Sequence, residues 1–548
     1  MVKKSTGIVR ASVALALASA CAAGFVAGCD DSPLAEPALA PPRAAVVETG
    51  ARAIRREVFE IEGSLPIANP VGGASTPPEQ NRLRVARFRL DGDTPKPARA
   101  IFVLVPGFLA GAASYDGLAR AIVRRSTDAS AYEAWAIDRR SNLLEDAHGV
   151  DFAEVMQSSK PGFDYYFDDK VIAGKRFAGF LTGPEAPWAS EWGMATTVAD
   201  IKKVVELVPA PDRKSHVVLV GHSMGATMAE AFAAWDFERP GYEEIAALAL
   251  VDGVARNEGA PAASIDRTKY EKGSTLGGFP SPGVEAIRAG NTFVALPLLG
   301  VEALAVAELL AVDATYTPNA LLTENPARDR LLSIALGMTT LPKLTNASAF
   351  GLAFDESSAP LAFAAARCGA ATGGPLSSYV GPFGGALLHP ADSAATYVWT
   401  DGPAVGEPTR LADLASGWFA GPGINFTEWY FPQRLSLDSS VVGTLDIEDS
   451  DWRSAVYGLR AKHGRKIDVP IFGAAFRLLG SVDTFERLRA LVKTPSTSFA
   501  TKLYPELSHI DGLVGADVPG GAATAFYDDL VAFGARSTRD GGVIVPVR

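Results

Sequence analysis

The chain has 548 residues, of which 48% are hydrophobic and 21% charged, and its net charge is −11. This is an ordinary globular composition, and the chain is long enough to bury a sizeable core without staples. No Lys/Arg-rich stripe interrupts the acidic balance, so nucleic acid is excluded as an expected partner.

The N-terminus has its own grammar. Lys3, Lys4 and Arg10 precede an uncharged, small and apolar run from Ala11 to Gly28, which ends at Val26-Ala27-Gly28-Cys29. Acidic, Pro-rich sequence (DDSPLAEPALAPP) follows. The layout resembles a bacterial secretion signal ending in a lipobox, with Cys29 as the lipidated residue. A simple signal peptide cut after Ala18-Ser19-Ala20, or an uncleaved anchor helix, remains open. Each reading places the body of the protein outside the cytoplasm, and the first adds a membrane anchor. Once residues 1–28 are removed, only Cys29 and Cys368 remain. With Cys29 lipidated, no internal disulfide can form, and Cys368 reads as a small buried hydrophobe.

Residues 29–50 read as a flexible tether rich in Ala and Pro. Two stretches with alternating apolar and charged residues follow, at 55–62 and 82–90, and predict half-exposed strands at a sheet edge. The continuous apolar runs at 101–107, 132–138, 216–221 and 245–253 instead predict parallel strands buried on both faces. The rhythm resumes at 469–476 and 498–507, followed by helix-like 484–493 and 520–534. These elements predict an α/β fold: a mostly parallel, helix-flanked sheet with an antiparallel start. Its core is divided into 51–253 and 467–548 by a large insert, 254–466, long enough to be a cap domain. A smaller aromatic and Gly-rich excursion spans 140–195.

The pattern G-x-S-x-G occurs as Gly221-His222-Ser223-Met224-Gly225. It lies between a buried apolar strand and the helix-like run ATMAEAFAAW (226–235). A sharp strand-to-helix turn projects such a serine from the sheet's end, and the helix N-terminus favours developing negative charge. At this point the chain resembles the α/β-hydrolase superfamily. The resemblance implies Ser223 as nucleophile, with an acid and then a histidine later in the chain. It also implies an oxyanion-hole amide from Val105-Pro106-Gly107-Phe108-Leu109-Ala110-Gly111, where Pro106 stands in the place of a usual His. The expected donors are the N–H groups of Phe108 and Met224.

Of the six histidines, His509 follows the last strand and precedes the last helix, where the superfamily carries its base. His222 sits inside the motif and is expected to point away from its neighbour. The acid is less determined. Asp483, in Gly480-Ser481-Val482-Asp483, follows the penultimate strand and is the first choice; Asp252, ending LALVDG, is its rival. Asp483 could instead cap a helix, and Asp-Gly commonly ends a strand.

The resemblance implies a Ser-His-Asp hydrolase acting on carboxylic esters, with a small-molecule or lipid-like substrate and no cofactor. An amidase or peptidase using the same triad, or a catalytically silent binding protein on the same fold, stays open. No His, Cys and acid cluster has zinc spacing, so no metal is expected. DRRSNLLED (138–146) reads as a structural ion-pair cluster. The insert's Trp418, Trp429, Tyr430 and Phe431 read either as an acyl-site lining or as the insert's own core. Oligomeric state is not legible.

Overall fold

A computed structural model describes residues 46–47, 53–92, 95–253, 265–276, 279–295, 300–381, 385–421, 423–442 and 446–546. The signal segment 1–28, Cys29 and most of the 29–50 tether lie outside the described residues. The exception is a two-residue strand, Val46–Val47, which pairs antiparallel with the next strand.

The central sheet contains β1 (Ile54–Glu62), β2 (Arg82–Leu90), β3 (Ala98–Val105), β4 (Ala131–Asp138), β5 (Val217–His222), β6 (Ala247–Val251), β7 (Ile471–Ala475) and β8 (Phe499–Leu503). Beyond Val46–Val47 they lie in the order β1-β2-β4-β3-β5-β6-β7-β8. Only β2 runs against the rest. This is the expected mostly parallel sheet with an antiparallel start, the α/β-hydrolase fold. Strands β4, β5, β6 and β7 are buried along their whole length, as their unbroken apolar runs require.

Five helices matter for the site: α1 (Asp116–Arg124), α2 (Met194–Val205), α3 (Met224–Ala234), α4 (Glu302–Tyr316) and α5 (Ala522–Ser537). Alternation along β3 divides the core between two faces. Phe102 and Leu104 pack with Leu118 and Ile122 of α1 and Phe526 and Leu530 of α5. Ile101 and Val103 pack on the other face with Val198 and Ile201 of α2 and Met228 and Phe232 of α3.

The alternating charges of β2 do not mark a sheet edge. The strand lies between β1 and β4, and its Arg87 is 1% exposed. Two bonds of 2.8 Å from Arg87 to the Glu133 carboxylate compensate that burial. A paired arginine occupies an inward position that alternation alone assigns to solvent.

Among the described residues, the insert between β6 and β7 forms no separate apolar cluster of its own. Val306, Leu309 and Leu310 of α4, with Phe350 and Trp418, join the same apolar cluster as Leu104 and Tyr115 of the sheet layer. Leu435, Val442, Ile447 and Leu459 cross to the opposite face and pack with the α2 and α3 layer. The insert therefore folds onto both faces of the sheet it interrupts.

Candidate active site

Ser223 stands between β5 and α3 with φ 57° and ψ −127°, a backbone conformation that non-glycine residues rarely adopt. The flanking glycines allow the turn to be that tight. A Cβ on Gly221 would sit 2.1 Å from the Gly225 carbonyl oxygen, and one on Gly225 would sit 2.1 Å from that of Val105. Small residues are thus required by direct backbone contact, and the motif spacing follows from it.

The two candidate acids stand in different surroundings. Asp483 is exposed at the start of a short helix, Asp483–Arg489, and its own N–H donates to Ser481 Oγ at 3.4 Å. His509 is buried, and its Nδ1 lies 2.6 Å from Asp252 Oδ2. The other Asp252 oxygen accepts the Phe476 N–H at 2.7 Å and the Leu479 N–H at 3.4 Å. These amides from the loop after β7 orient a carboxylate carried by β6. The loop after β7 thus supplies N–H donors to the Asp252 carboxylate. With Nδ1–H given to a carboxylate, the His509 Nε2 lone pair is left free.

His222, expected to point away from Ser223, lies against the His509 ring with centroids 4.4 Å apart. Its Nε2 is 2.9 Å from the His509 carbonyl oxygen, which can only accept, so this nitrogen carries the proton. Burial, and then the neighbouring His509, hold His222 well below the usual imidazole range. It therefore stays neutral beside its partner. Three other histidines are bound to backbone carbonyls: His148 to Ile172, His216 to Arg99 and His389 to Leu336. Burial raises the Cys368 thiol well above its ordinary value, in keeping with an inert buried side chain.

The loop after β3 brings Gly107 against the serine, where an added Cβ would be 2.7 Å from Ser223 Cβ. Phe108 and Met224 therefore flank Ser223, one in this loop and one at the first position of α3. The Ser223 hydroxyl itself makes no hydrogen bond among the described residues. Catalytic hydrogen bonds are commonly loose before substrate arrives.

Ser223, His222 and His509 open onto a cavity of about 120 Å³. Its remaining walls are almost wholly apolar and come largely from the insert: Leu310, Leu332, Phe354, Trp418 and Phe426 among them. Ala303, Ala307 and Leu310 face it from α4 at helical spacing, and the two alanines leave the space open. Of the insert aromatics singled out from sequence, Trp418 lines the cavity and stacks on Phe426 at 4.7 Å. Trp429 and Tyr430 are instead buried next to the 140–195 excursion and its neighbours, Trp429 against Tyr166 and Tyr430 against Phe293.

The segment carrying Phe426 is held by carboxyls. Asp151 accepts from the Gly423 N–H, Glu145 from Asn425 Nδ2 and the Trp429 N–H, and Glu308 from Thr427 Oγ1. Burial first, with neighbouring acids adding to it for Glu145, pushes Glu145 and Glu308 upward, Glu308 to about 8. Unfolded glutamate titrates near ~4.3. The folded state therefore binds the extra proton, and its stabilisation is complete below that value and is lost as pH rises through about 8. Glu308→Gln, neutral throughout, should gain stability relative to the wild type between pH values below and above that window. Urea midpoints at both ends check this, and a pH-independent difference would contradict it.

No family model matches the sequence, and no curated protein matches it. Solved structures of similar shape include a putative lipase from Sulfolobus solfataricus, at 11% identity and TM-score 0.43, covering 90% of this chain and 98% of that one. A soluble variant of monoglyceride lipase from Saccharomyces cerevisiae, in complex with a substrate analog, has 11% identity and TM-score 0.32, covering 93% and 100%. An epoxide hydrolase from Vigna radiata has 13% identity and TM-score 0.33, covering 87% and 97%. At these scores the fold assignment rests on strand order and direction.

Proposed function

We propose that this protein is a serine hydrolase that cleaves carboxylic esters of apolar acyl groups through an acyl-enzyme. The observation that carries the reading is Ser223 on a strained strand-to-helix turn, sharing an apolar cavity with a buried His509 paired at 2.6 Å to Asp252. In this reading Ser223 Oγ attacks the ester carbonyl while His509 Nε2 takes its proton. Asp252 holds the imidazole in that tautomer and stabilises the imidazolium. The oxyanion is received by the Phe108 and Met224 N–H groups. His509 then protonates the leaving alkoxide, and water repeats the sequence on the acyl-enzyme.

The apolar walls favour a hydrocarbon acyl chain over a charged or polar one. Across p-nitrophenyl esters from acetate through dodecanoate, kcat/KM should rise at first by about fourfold per methylene buried. It should then level where the cavity is full, and Ser223→Ala should abolish turnover. Matched amides in the same panel test the amidase reading. A flat chain-length profile, or amides turned over faster than esters, would remove the ester assignment.

We also propose export and attachment to a membrane through lipid on Cys29, supported by the charge and apolar pattern of residues 1–29. Cys29→Ser should then move the protein from the membrane to the soluble fraction. Unchanged fractionation would count against it.

A further inference from the structure

The hydrogen bonds of Arg139 point to a role that DRRSNLLED did not disclose. Arg139 directly follows β4, is buried, and directs its guanidinium into the loop that carries Phe108. Its Nη1 donates to the Pro106 carbonyl at 2.7 Å, and its Nη2 to those of Gly107 at 2.8 Å and Ala110 at 2.9 Å. The C=O of Gly107 and the N–H of Phe108 belong to one peptide plane and point in opposite directions. Drawing the Gly107 oxygen to Arg139 therefore turns the Phe108 N–H away from Arg139. Gly107 at the same time touches Ser223.

The positive charge is matched by a residue of the insert. Arg139 Nε lies 2.9 Å from Glu428 Oε2, and Nη2 also contacts that carboxylate, which is fully buried. Glu428 Oε1 accepts from Ser141 Oγ, and the Glu428 N–H donates to the Leu109 carbonyl at 2.9 Å. Two further backbone bonds tie the insert to the loop. The Gly111 N–H donates to the Phe426 carbonyl at 2.6 Å, and the Ala113 N–H to that of Asn425 at 3.2 Å. Phe431 completes the arrangement, 5.2 Å from the guanidinium and edge-on to Phe108 at 4.9 Å.

We propose that Arg139 is a positioning residue that aims the Phe108 N–H into the oxyanion hole. Glu428 makes that hole depend on docking of the insert segment 425–431. The inference rests on the serine-hydrolase reading and goes beyond it: the insert is needed for transition-state stabilisation as well as for walling the cavity. A guanidinium fork spans three carbonyls and a carboxylate, whereas an ammonium of the same charge cannot.

The test compares Arg139→Lys and Glu428→Gln with the wild type on one ester substrate. A trifluoromethyl ketone serves as probe, because its hemiketal oxyanion occupies the hole. Arg139→Lys should lower kcat by about 10²-fold or more, the cost of losing one such donor. KM should stay within about twofold, and the inhibition constant of the ketone should rise in parallel with the loss in kcat. Glu428→Gln should show the same parallel shift, smaller in size. The pH profile of kcat should not move in either variant. Unchanged kcat in both variants would overturn the proposal, as would a kcat loss with no change in ketone binding. Should Arg139→Lys not fold, Glu428→Gln alone must show the parallel shift, or the proposal fails. A wild type that neither hydrolyses esters nor binds the ketone would remove the hydrolase reading and this proposal with it. An active wild type with active variants removes this proposal alone.

Discussion

Asp252→Asn is expected to lower kcat by about 10⁴-fold, the scale seen when a triad carboxylate is replaced by its amide. Asp483→Asn should leave activity close to that of the wild type. An amide at residue 252 presents one carbonyl and one NH2 group to surroundings that offer donors on both sides. The Phe476 and Leu479 N–H groups donate to Oδ1, and His509 Nδ1 faces Oδ2. An asparagine cannot accept from all of them. If its carbonyl serves the amides, its NH2 faces the imidazole, the ring takes the other tautomer, and Nε2 carries a proton it cannot use as a base. Asp483 is exposed and holds no such position. Activity retained in Asp252→Asn and lost in Asp483→Asn would reverse the assignment, with circular dichroism confirming that both variants fold.

Gly107→Ala should lower kcat by about 10²-fold, the effect of displacing reacting groups by around an ångström. The new methyl would meet Ser223 Cβ at 2.7 Å and the His222 carbonyl oxygen at 3.0 Å. Neither is the free end of a flexible side chain. Either the serine or the loop must move, and the loop carries the Phe108 N–H. The urea midpoint should fall only modestly, because the overpacking is local. Wild-type kcat in Gly107→Ala would show that loop and serine are not in the contact described.

Much of this is legible in the sequence. The eight strands answer to apolar runs and alternating stretches that flank them, and Ser223 and His509 fall at the positions their elements imply. The carboxylate that pairs with His509 was not legible, because the strands preceding the two candidates, β6 and β7, are neighbours. Choosing between Asp252 and Asp483 requires knowing which carboxylate is buried and which amides face it. Neither is encoded in spacing. The burial of Arg87 and Arg139 was hidden for a related reason: their partners, Glu133 and Glu428, lie 46 and 289 residues away. One signal for the cavity is present in the sequence. Ala303, Ala307 and Leu310 fall on one stripe of an apolar helix, and small residues at that spacing leave room beside it. Nothing in the sequence said that this stripe would face Ser223, since that depends on how the insert folds back on the sheet.

The most direct test of the account is the site of a covalent adduct. Reaction with a fluorophosphonate, followed by intact mass and peptide mapping, should show a single addition on Ser223. The addition should be absent from Ser223→Ala and strongly slowed in His509→Ala. Equal labelling of Ser223→Ala, or an adduct mapped to another residue, would contradict it.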